Sequence, residues 1–291
     1  MEIDQLVESF EFRFKASGVD NAKRVAEELL AHVLECKPLE IYTGAANIVN
    51  SAAQKFEVIQ KLEPLAERIE QGEPLQYVLG EVDFWGLRIF CDPRALIPRP
   101  ETELLVEEVL TSNTWTAKSD GSRTVLVDVG TGTGCIALTL AKQRSDADLK
   151  AVDISFDALE LARFNSKANG LDGRIEWMEN NLLDGFPVKS VDIVVANLPY
   201  IATDEWTRLA ATVRDHEPRL ALESGPTGME LIGILALQAR QVLVPGGMLF
   251  LEFGYEQGAS VFQSLERLGY TEIEIRHDLA GHERIAIAVN P

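Results

Sequence analysis

A regular alternation of short apolar segments with helical segments along the C-terminal half is the feature that most constrains the fold. Strands are predicted over residues 124–129, 149–154, 174–179, 191–197, 248–253, 271–278 and 284–289. Helical segments separate most of these strands, an order typical of a parallel sheet. Only residues 279–283 separate the last two strands, which is too short for a crossover, so this pair should be antiparallel. The sequence therefore predicts an α/β, Rossmann-like fold whose seven-stranded sheet is mostly parallel and has an antiparallel last strand.

The N-terminal part follows a different pattern. Apolar residues recur at helical spacing in three segments between residues 4 and 69, and Pro64 should kink or split the third helix. Residues 75–98 instead suggest short strands with turns at Gly80 and Gly86. The polar stretch 111–122 predicts a loop. We therefore divide the chain into an N-terminal helical domain (1–74), a β-hairpin linker (75–100) and the α/β domain (101–291).

Charge and composition exclude several classes of protein. The formal charge of −19 and the pI near 4.6 provide no surplus of cations for binding a nucleic-acid backbone. Residues 1–75 hold 14 acidic and 8 basic residues, so the helical domain is not a basic module; its amphipathic helices are expected to dock a partner. The three cysteines and four histidines have no disulfide or metal-ligand spacing. With no signal peptide or membrane-length apolar run, we expect a cytoplasmic protein without a metal ion.

A glycine-rich turn follows the first predicted strand of the α/β domain. Its glycines, Gly130, Gly132 and Gly134, alternate, unlike the dinucleotide fingerprint GxGxxG or the phosphate-binding loop with its Lys. About 20 residues further on, the next strand ends at Asp153, where a carboxylate can accept both ribose hydroxyls of a nucleoside. The combination favours S-adenosylmethionine over a pyrophosphate cofactor. The alternative, a purely structural turn beside an exposed Asp, is the weaker explanation, because the glycine turn and the strand-ending Asp153 occur together at the expected spacing.

Further cofactor contacts are assigned around this turn. Asn181 and Leu182 follow the third strand, where the edge and face of an adenine would lie. Asp128 either stabilises the turn or lies near the sulfonium, and we favour the second. The residues predicted to bind the cofactor are Asp128, Gly130, Thr131, Gly132, Thr133, Gly134, Asp153, Ile154, Asn181, Leu182 and Asn197.

The fourth strand ends in Asn197-Leu198-Pro199-Tyr200. Pro199 stops the strand at the carboxyl edge of the sheet, where ligands bind in α/β folds. Asn197 Oδ1 and the Leu198 carbonyl can each accept one N–H of a planar –NH2 group, and the Tyr200 ring can cover its face. On its own, the segment is better explained as a strand-ending turn.

The segment 96–103, Leu-Ile-Pro-Arg-Pro-Glu-Thr-Glu, begins a helix. Pro100 suits the first helical turn, and Glu101 and Glu103 suit its positive dipole end. These roles leave Arg99 unexplained, because two flanking prolines fix the direction of its backbone.

Together these motifs resemble the release-factor glutamine methyltransferases (the HemK/PrmC type) over nearly the whole chain. The resemblance is carried by residues 72–80, 84–87, 96–103, 128–134, 217–218, 221–222, 246–247 and 251–252. It implies methyl transfer from S-adenosylmethionine to the side-chain amide nitrogen of the glutamine in the Gly-Gly-Gln loop of class I peptide release factors. It also implies a monomer that binds this protein substrate and no nucleic acid or membrane. The implied catalytic residues are Asn197, Pro199 and Tyr200, and the implied substrate contacts add Leu198, Arg99 and Glu217.

Two departures from the family pattern are visible. The family has Asn-Pro-Pro-Tyr where this chain has Leu198, a form similar to the ribosomal-RNA adenine dimethylases. We expect Leu198 to act through its backbone carbonyl. Asn181 stands where the family usually has Asp.

Three other functions compete with this interpretation. An adenine methyltransferase uses the same acceptor geometry, but the acidic charge and the 96–103 segment count against it. Within the family, the substrate could be a glutamine of a ribosomal protein. A non-catalytic module that binds S-adenosylmethionine would have no use for Asn197, Pro199 and Tyr200.

Overall fold

A computed structural model describes residues 3–43, 51–115 and 121–291. Its helices are α1 (Ile3–Ala16), α2 (Ala22–Val33), α3 (Ala52–Glu70), α4 (Leu75–Leu79), α5 (Pro100–Thr111), α6 (Cys135–Gln143), α7 (Phe156–Ala168), α8 (Ala211–Arg214), α9 (Glu230–Val242) and α10 (Gly258–Arg267). Its strands are β1 (Glu81–Phe84), β2 (Leu87–Phe90), β3 (Thr124–Val129), β4 (Ala147–Asp153), β5 (Ile175–Glu179), β6 (Val191–Asn197), β7 (Leu243–Glu252), β8 (Thr271–His277) and β9 (Glu283–Val289). Short 3₁₀ helices cover Pro38–Ile41, Asn113–Trp115, Trp206–Arg208 and Arg219–Ala221. None of the helices in these ranges is long and apolar enough to cross a membrane.

The chain divides into two compact units. One comprises Met1–Gly80 together with Ala210–His216, and the other comprises Glu81–Leu209 and Glu217–Pro291. In the first unit, α1, α2 and α3 enclose an apolar core that includes Phe14, Leu29 and Leu62. At its surface, Arg13 of α1 bonds both Glu63 and Glu70 of α3.

One local prediction in the N-terminal half is wrong. Residues 75–79 form helix α4, where a strand was expected, and Gly80 ends that helix in the left-handed conformation at φ 77°. Of the two effects predicted for Pro64, a kink or a split, the split does not occur, because helix α3 continues through this residue. The predicted hairpin is confined to β1 and β2, an antiparallel pair that turns at Trp85 and Gly86. Of the loop predicted over residues 111–122, residues 116–120 lie outside the described part of the chain, and residues 113–115 form a 3₁₀ turn.

The second unit contains the predicted seven-stranded sheet, in the order β5-β4-β3-β6-β7-β9-β8. Strands β3 to β7 pair in parallel, whereas β9 runs antiparallel to both β7 and β8. The mostly parallel sheet with an antiparallel last strand is therefore confirmed, as is the antiparallel pairing of the last two strands.

The sheet is the middle layer of three. Alternate residues of each strand face opposite sides, so that Leu126 joins the core under α5 and α6 while Val127 joins the core under α9 and α10. The chain passes from β3 outwards to β4 and β5, then returns to place β6 on the other side of β3. This reversal creates a switch point at the carboxyl ends of β3 and β6, where α/β proteins bind ligands.

Candidate active site

A cavity opens at this switch point. Its floor is formed by the glycine turn after β3 and by the ends of β4 and β6, and one wall is residues 94–99. Most of the residues predicted from the sequence line it: Arg99, Gly130, Thr131, Gly132, Thr133, Asp153, Ile154, Asn181, Leu182, Asn197, Leu198 and Pro199. Of the other predicted residues, Asp128, Gly134, Tyr200 and Glu217 are outside the described lining.

The glycine turn lies flat against the neighbouring strand. The backbone N–H groups of Gly130 and Thr131 both donate to the Val152 carbonyl, at 2.9 and 3.0 Å. Gly130 has φ 71°, and a Cβ there would lie 2.7 Å from Leu198 Cδ2. A side chain at Gly130 would therefore be strained by the left-handed backbone and would force the Leu198 side chain to move.

Leu198 contributes more than a backbone carbonyl. Its side chain is buried and packs against Gly130, so it joins the substrate turn to the cofactor turn. The expectation that Leu198 acts only through its backbone omitted this contact, because nothing local in the sequence places residue 198 next to residue 130.

Asp153 occupies the end of β4 beside the turn. Its Oδ2 accepts the Gly132 N–H and its Oδ1 accepts the Ser155 N–H, both at 2.9 Å. Burial raises its pKa, and these backbone bonds oppose that shift. Each oxygen retains a lone pair, so the carboxylate can still accept the two hydroxyls of a ribose.

An apolar surface continues from Asp153. Ile154 is 54% exposed although it is a large aliphatic residue next to a cavity, and Leu182 forms part of the same lining. Asn181 lies at the exposed rim, where its Nδ2 donates to Asp184. Asn180 also lines the cavity, a contact that the sequence analysis missed; its N–H donates to the Asp153 carbonyl. A planar, apolar group with polar edges fits this part of the cavity.

Asp128 stabilises the turn from behind. It is fully buried, and its Oδ2 accepts bonds from Thr131 Oγ1 at 2.6 Å and the Ala137 N–H at 3.2 Å. Its Oδ1 has no partner among the described residues. Burial raises the pKa of Asp128 to about 7. Of the two roles considered from the sequence, this geometry matches the turn stabiliser.

Asn197 ends β6 with its side-chain amide held in one direction. Nδ2 donates to Thr102 Oγ1 of α5 at 3.0 Å, so Oδ1 points to the opposite side of the amide group. Thr102 belongs to the 96–103 segment, but the sequence pattern does not indicate this contact, because Thr102 is distant from Asn197 along the chain.

Tyr200 is the last residue of this turn and lies outside the described cavity lining. Its carbonyl accepts Gln257 Nε2 at 2.9 Å, and burial raises the pKa of its phenol to about 12. The phenol therefore stays neutral near pH 7 and cannot act as an anionic base there.

Arg99 and Glu217 form an ion pair with each other. The Arg99 guanidinium bonds Glu217 Oε1, while Oε2 accepts the Ile97 N–H at 3.1 Å. Glu217 is buried, and both of its oxygens hold the wall formed by residues 94–99. Arg99 lines the cavity, whereas Glu217 supports it.

Two family descriptions match the sequence: "Methyltransferase small domain" over residues 101–219 and "PrmC N-terminal domain" over residues 5–80. A release factor glutamine methyltransferase of Nitratidesulfovibrio vulgaris is 38% identical over 95% of this chain and 91% of that protein. One from Cereibacter sphaeroides is also 38% identical, over 96% of this chain and 95% of the relative. The chain belongs to the release factor glutamine methyltransferase family. A methyltransferase of Pyrococcus furiosus shares the fold, with a TM-score of 0.50 and 18% identity over 71% of this chain and 90% of that one.

The protein is thus a methyltransferase that uses S-adenosylmethionine, and its cavity fits that cofactor. The Asp153 carboxylate suits a ribose, the surface of Ile154 and Leu182 suits an adenine, and the turn at Gly130 lets the ligand approach the backbone closely. When bound, the cofactor supplies an electrophilic methyl group.

Proposed function

We propose that the enzyme methylates the side-chain amide nitrogen of the glutamine in the Gly-Gly-Gln motif of class I peptide release factors. The observation that carries this proposal is the fixed Asn197 amide at the mouth of β6. Its Nδ2 is committed to Thr102, so Oδ1 is the atom available to accept an N–H from a substrate. The names of the relatives, release factor glutamine methyltransferase, support this class of substrate.

The chemical task of this site is to orient a poor nucleophile. The lone pair of an amide nitrogen is delocalised, so its reaction depends on alignment and on stabilising the positive charge that develops on nitrogen. Asn197 Oδ1 and the Leu198 carbonyl supply two acceptors for the two hydrogens of an –NH2 group. Preorganised dipoles of this kind typically contribute about a hundredfold or more to the rate. No side-chain base is required, because the nitrogen can lose its proton after transfer.

The decisive experiment compares substrates. The enzyme is incubated with methyl-labelled S-adenosylmethionine and, separately, a class I release factor, ribosomal protein and ribosomal RNA, and the methylated residue is located by mass spectrometry. We expect label only in the release factor, on the glutamine of its Gly-Gly-Gln motif. A release factor in which that glutamine is replaced by Ala provides the matched control and should remain unlabelled.

The other outcomes assign the site differently. Label in RNA would identify an adenine methyltransferase. Label in ribosomal protein alone would identify a glutamine of that protein as the substrate, which is the alternative within the family. Absence of label from all three, with S-adenosylmethionine bound, would favour a non-catalytic binding module.

A further inference from the structure

Glu252 is a buried acid that the proposed chemistry leaves unused. It is the last residue of β7 and pairs in register with Asn197, the last residue of β6. Only 2% of its surface is exposed, and Oε2 has no hydrogen-bond partner within the described part of the chain. A carboxyl group so placed is costly to bury, so its position directly behind the substrate-binding amide requires an explanation.

The side chains of Glu252, Thr102 and Asn197 form one polar network. Asn197 Nδ2 donates to Thr102 Oγ1 at 3.0 Å, and the Glu252 carboxyl lies close enough to Thr102 and Asn197 for both side chains to favour its ionised form. An ionised carboxylate can only accept hydrogen bonds. The Thr102 hydroxyl must therefore donate to Glu252, which leaves its lone pairs for Asn197, and Asn197 must present its –NH2 to the network and its Oδ1 to the cavity.

We propose that Glu252 is a positioning residue, whose ionised carboxylate sets the orientation of the Asn197 amide. This inference rests on the proposed function, because it assigns Asn197 Oδ1 to the substrate. A protonated Glu252 could donate to Thr102, which could then donate to Asn197 Oδ1 and turn the –NH2 towards the substrate. The flipped Asn197 amide would then present its own N–H groups to the substrate –NH2. Both groups are donors, whereas the substrate requires an acceptor at this position. The carboxylate also places negative charge behind the amide, which favours positive charge on the substrate nitrogen.

The proposal predicts a pH dependence. Burial raises the pKa of Glu252 to about 7; Thr102, Arg284 and Asn197 oppose that shift, and Glu101 adds to it. Tyr200 and Cys135 also interact electrostatically with Glu252, but burial raises the pKa of each to about 12, so neither titrates near pH 7. Turnover should therefore rise as pH increases through about 7. Asp128, whose pKa is also about 7, titrates in the same range, so a Glu252 variant must make the assignment.

The test measures kcat, the KM for release factor and the affinity for S-adenosylmethionine from about pH 5.5 to about pH 8.5, below and above the pKa at issue. In Glu252→Gln, which has the same shape but does not titrate, we expect kcat on the wild-type plateau to fall about tenfold to a hundredfold, since misplacement of a reacting group has costs of this size. The rise of kcat through pH 7 should disappear, while KM and cofactor affinity stay within about twofold, as for interactions made only in the transition state.

Two matched substitutions test the path through the network. Thr102→Val removes the hydroxyl at nearly constant volume and should lower kcat as Glu252→Gln does, whereas Thr102→Ser should recover most of that loss. Asp192→Asn alters a buried carboxyl at the other end of β6, where it accepts the Val125 N–H at 2.7 Å, and should leave the pH profile unchanged.

A second readout does not depend on activity. An unfolded Glu ionises near pH 4.3, below the folded-state value of about 7, so native Glu252 holds its proton more tightly. Its contribution to stability is complete below about pH 4.3 and is lost as pH rises through about 7. The melting temperature of Glu252→Gln should therefore decline less between about pH 5.5 and about pH 8.5 than that of the wild type.

Two results would overturn the proposal while leaving the proposed function intact: a wild-type kcat that is flat across pH 7, or a Glu252→Gln enzyme that keeps the titration. Absence of methyl transfer by the wild type would instead refute the proposed function, and the melting series would still report whether Glu252 titrates.

Discussion

At the scale of single residues, Asp153 combines two roles that a substitution can separate. Its oxygens accept the Gly132 and Ser155 N–H groups, and its remaining lone pairs are assigned to the ribose. Asp153→Ala should weaken S-adenosylmethionine binding by about 1–3 kcal/mol, the usual cost of stranding polar groups without their acceptor. Calorimetric titration measures this directly. Asp153→Asn keeps one acceptor oxygen and should lose less affinity than Ala.

Equal affinity for the wild type and Asp153→Ala would remove Asp153 from the cofactor site. Equal losses of S-adenosylmethionine affinity in Asp153→Ala and Asp153→Asn would show that the negative charge of the carboxylate, and not its acceptor oxygen alone, binds the cofactor.

Gly130 and Leu198 should be energetically coupled, because a Cβ on Gly130 would lie 2.7 Å from Leu198 Cδ2. Gly130→Ala should destabilise the enzyme through this overlap and through its φ of 71°. Leu198→Ala should cost about 2–5 kcal/mol of unfolding free energy through the cavity it leaves. In the double variant Leu198→Ala makes room for the new Cβ at residue 130, and that Cβ partly fills the cavity, so the combined loss should be smaller than the sum by about 0.5–3 kcal/mol.

Urea unfolding of the four proteins measures this coupling. Strict additivity would show that the two turns relax independently. The substitution to the family residue, Leu198→Pro, removes the N–H and replaces the buried side chain that packs against Gly130, so it should lower stability. It keeps the carbonyl assigned to the substrate, so we expect activity within about a few-fold of the wild type.

Sequence reasoning identified the site residues whose neighbours along the chain explain them. Asp153 follows from its place at a strand end, and Asn197 from the proline two residues later. Thr102 and Glu252 could not be given roles in this way, because their partners come from other elements. Their contacts depend on how β7 and α5 meet β6, which no local pattern specifies.

At the scale of elements, the buried parallel strands were the easiest to predict. The bounds predicted for β3 and β6 match those observed, since strands covered on both faces are nearly continuous apolar segments. The apolar run at residues 77–79 was assigned wrongly because a segment this short fits either a strand or one helical turn. Helix α3 tolerates Pro64 because the packing of Val58, Leu62, Ala66 and Ile69 in the core offsets one missing hydrogen bond.

Asn165 of α7 joins the hairpin to the glycine turn. Its Oδ1 accepts the Phe90 N–H, and its Nδ2 donates to the carbonyls of Phe90 and Thr133, at 2.8, 2.9 and 2.9 Å. Asn165→Ala strands these buried backbone groups and should lower the unfolding free energy by about 2–4 kcal/mol, as unsatisfied buried groups do. Denaturant unfolding measures the loss. Since Thr133 belongs to the cofactor turn, S-adenosylmethionine affinity should fall as well.

Asn165→Asp retains the acceptor for the Phe90 N–H but places an oxygen against the Phe90 and Thr133 carbonyls in a buried site, so it should destabilise the enzyme at least as much as Asn165→Ala. A loss in Asn165→Ala below about 0.5 kcal/mol, the level of an ordinary surface substitution, would contradict the linking role.

At the scale of the whole molecule, the two units divide the functional groups unequally. Every residue that lines the described cavity belongs to the unit formed by Glu81–Leu209 and Glu217–Pro291. The other unit has its own apolar core and an acidic excess of 14 over 8 within residues 1–75. We therefore propose that the N-terminal unit docks the release factor and does not contribute to the chemistry.

This division predicts a difference between long and short substrates. A chain that begins at Glu81 should bind S-adenosylmethionine with nearly wild-type affinity in calorimetry, because its cavity residues and both of its sheet cores remain. On intact release factor it should lose most of its kcat/KM through a higher KM, since the docking contacts bind ground state and transition state alike.

A short peptide that contains Gly-Gly-Gln provides the control, because it lacks the rest of the release factor and should be methylated equally by the full and shortened chains. Full kcat/KM of the shortened chain on intact factor would contradict the docking role. A shortened chain that binds cofactor yet fails on the peptide as well would place part of the catalytic machinery in the N-terminal unit. The peptide arm therefore separates recognition of the partner from chemistry, because the peptide carries the reacting glutamine without the surfaces of the folded release factor.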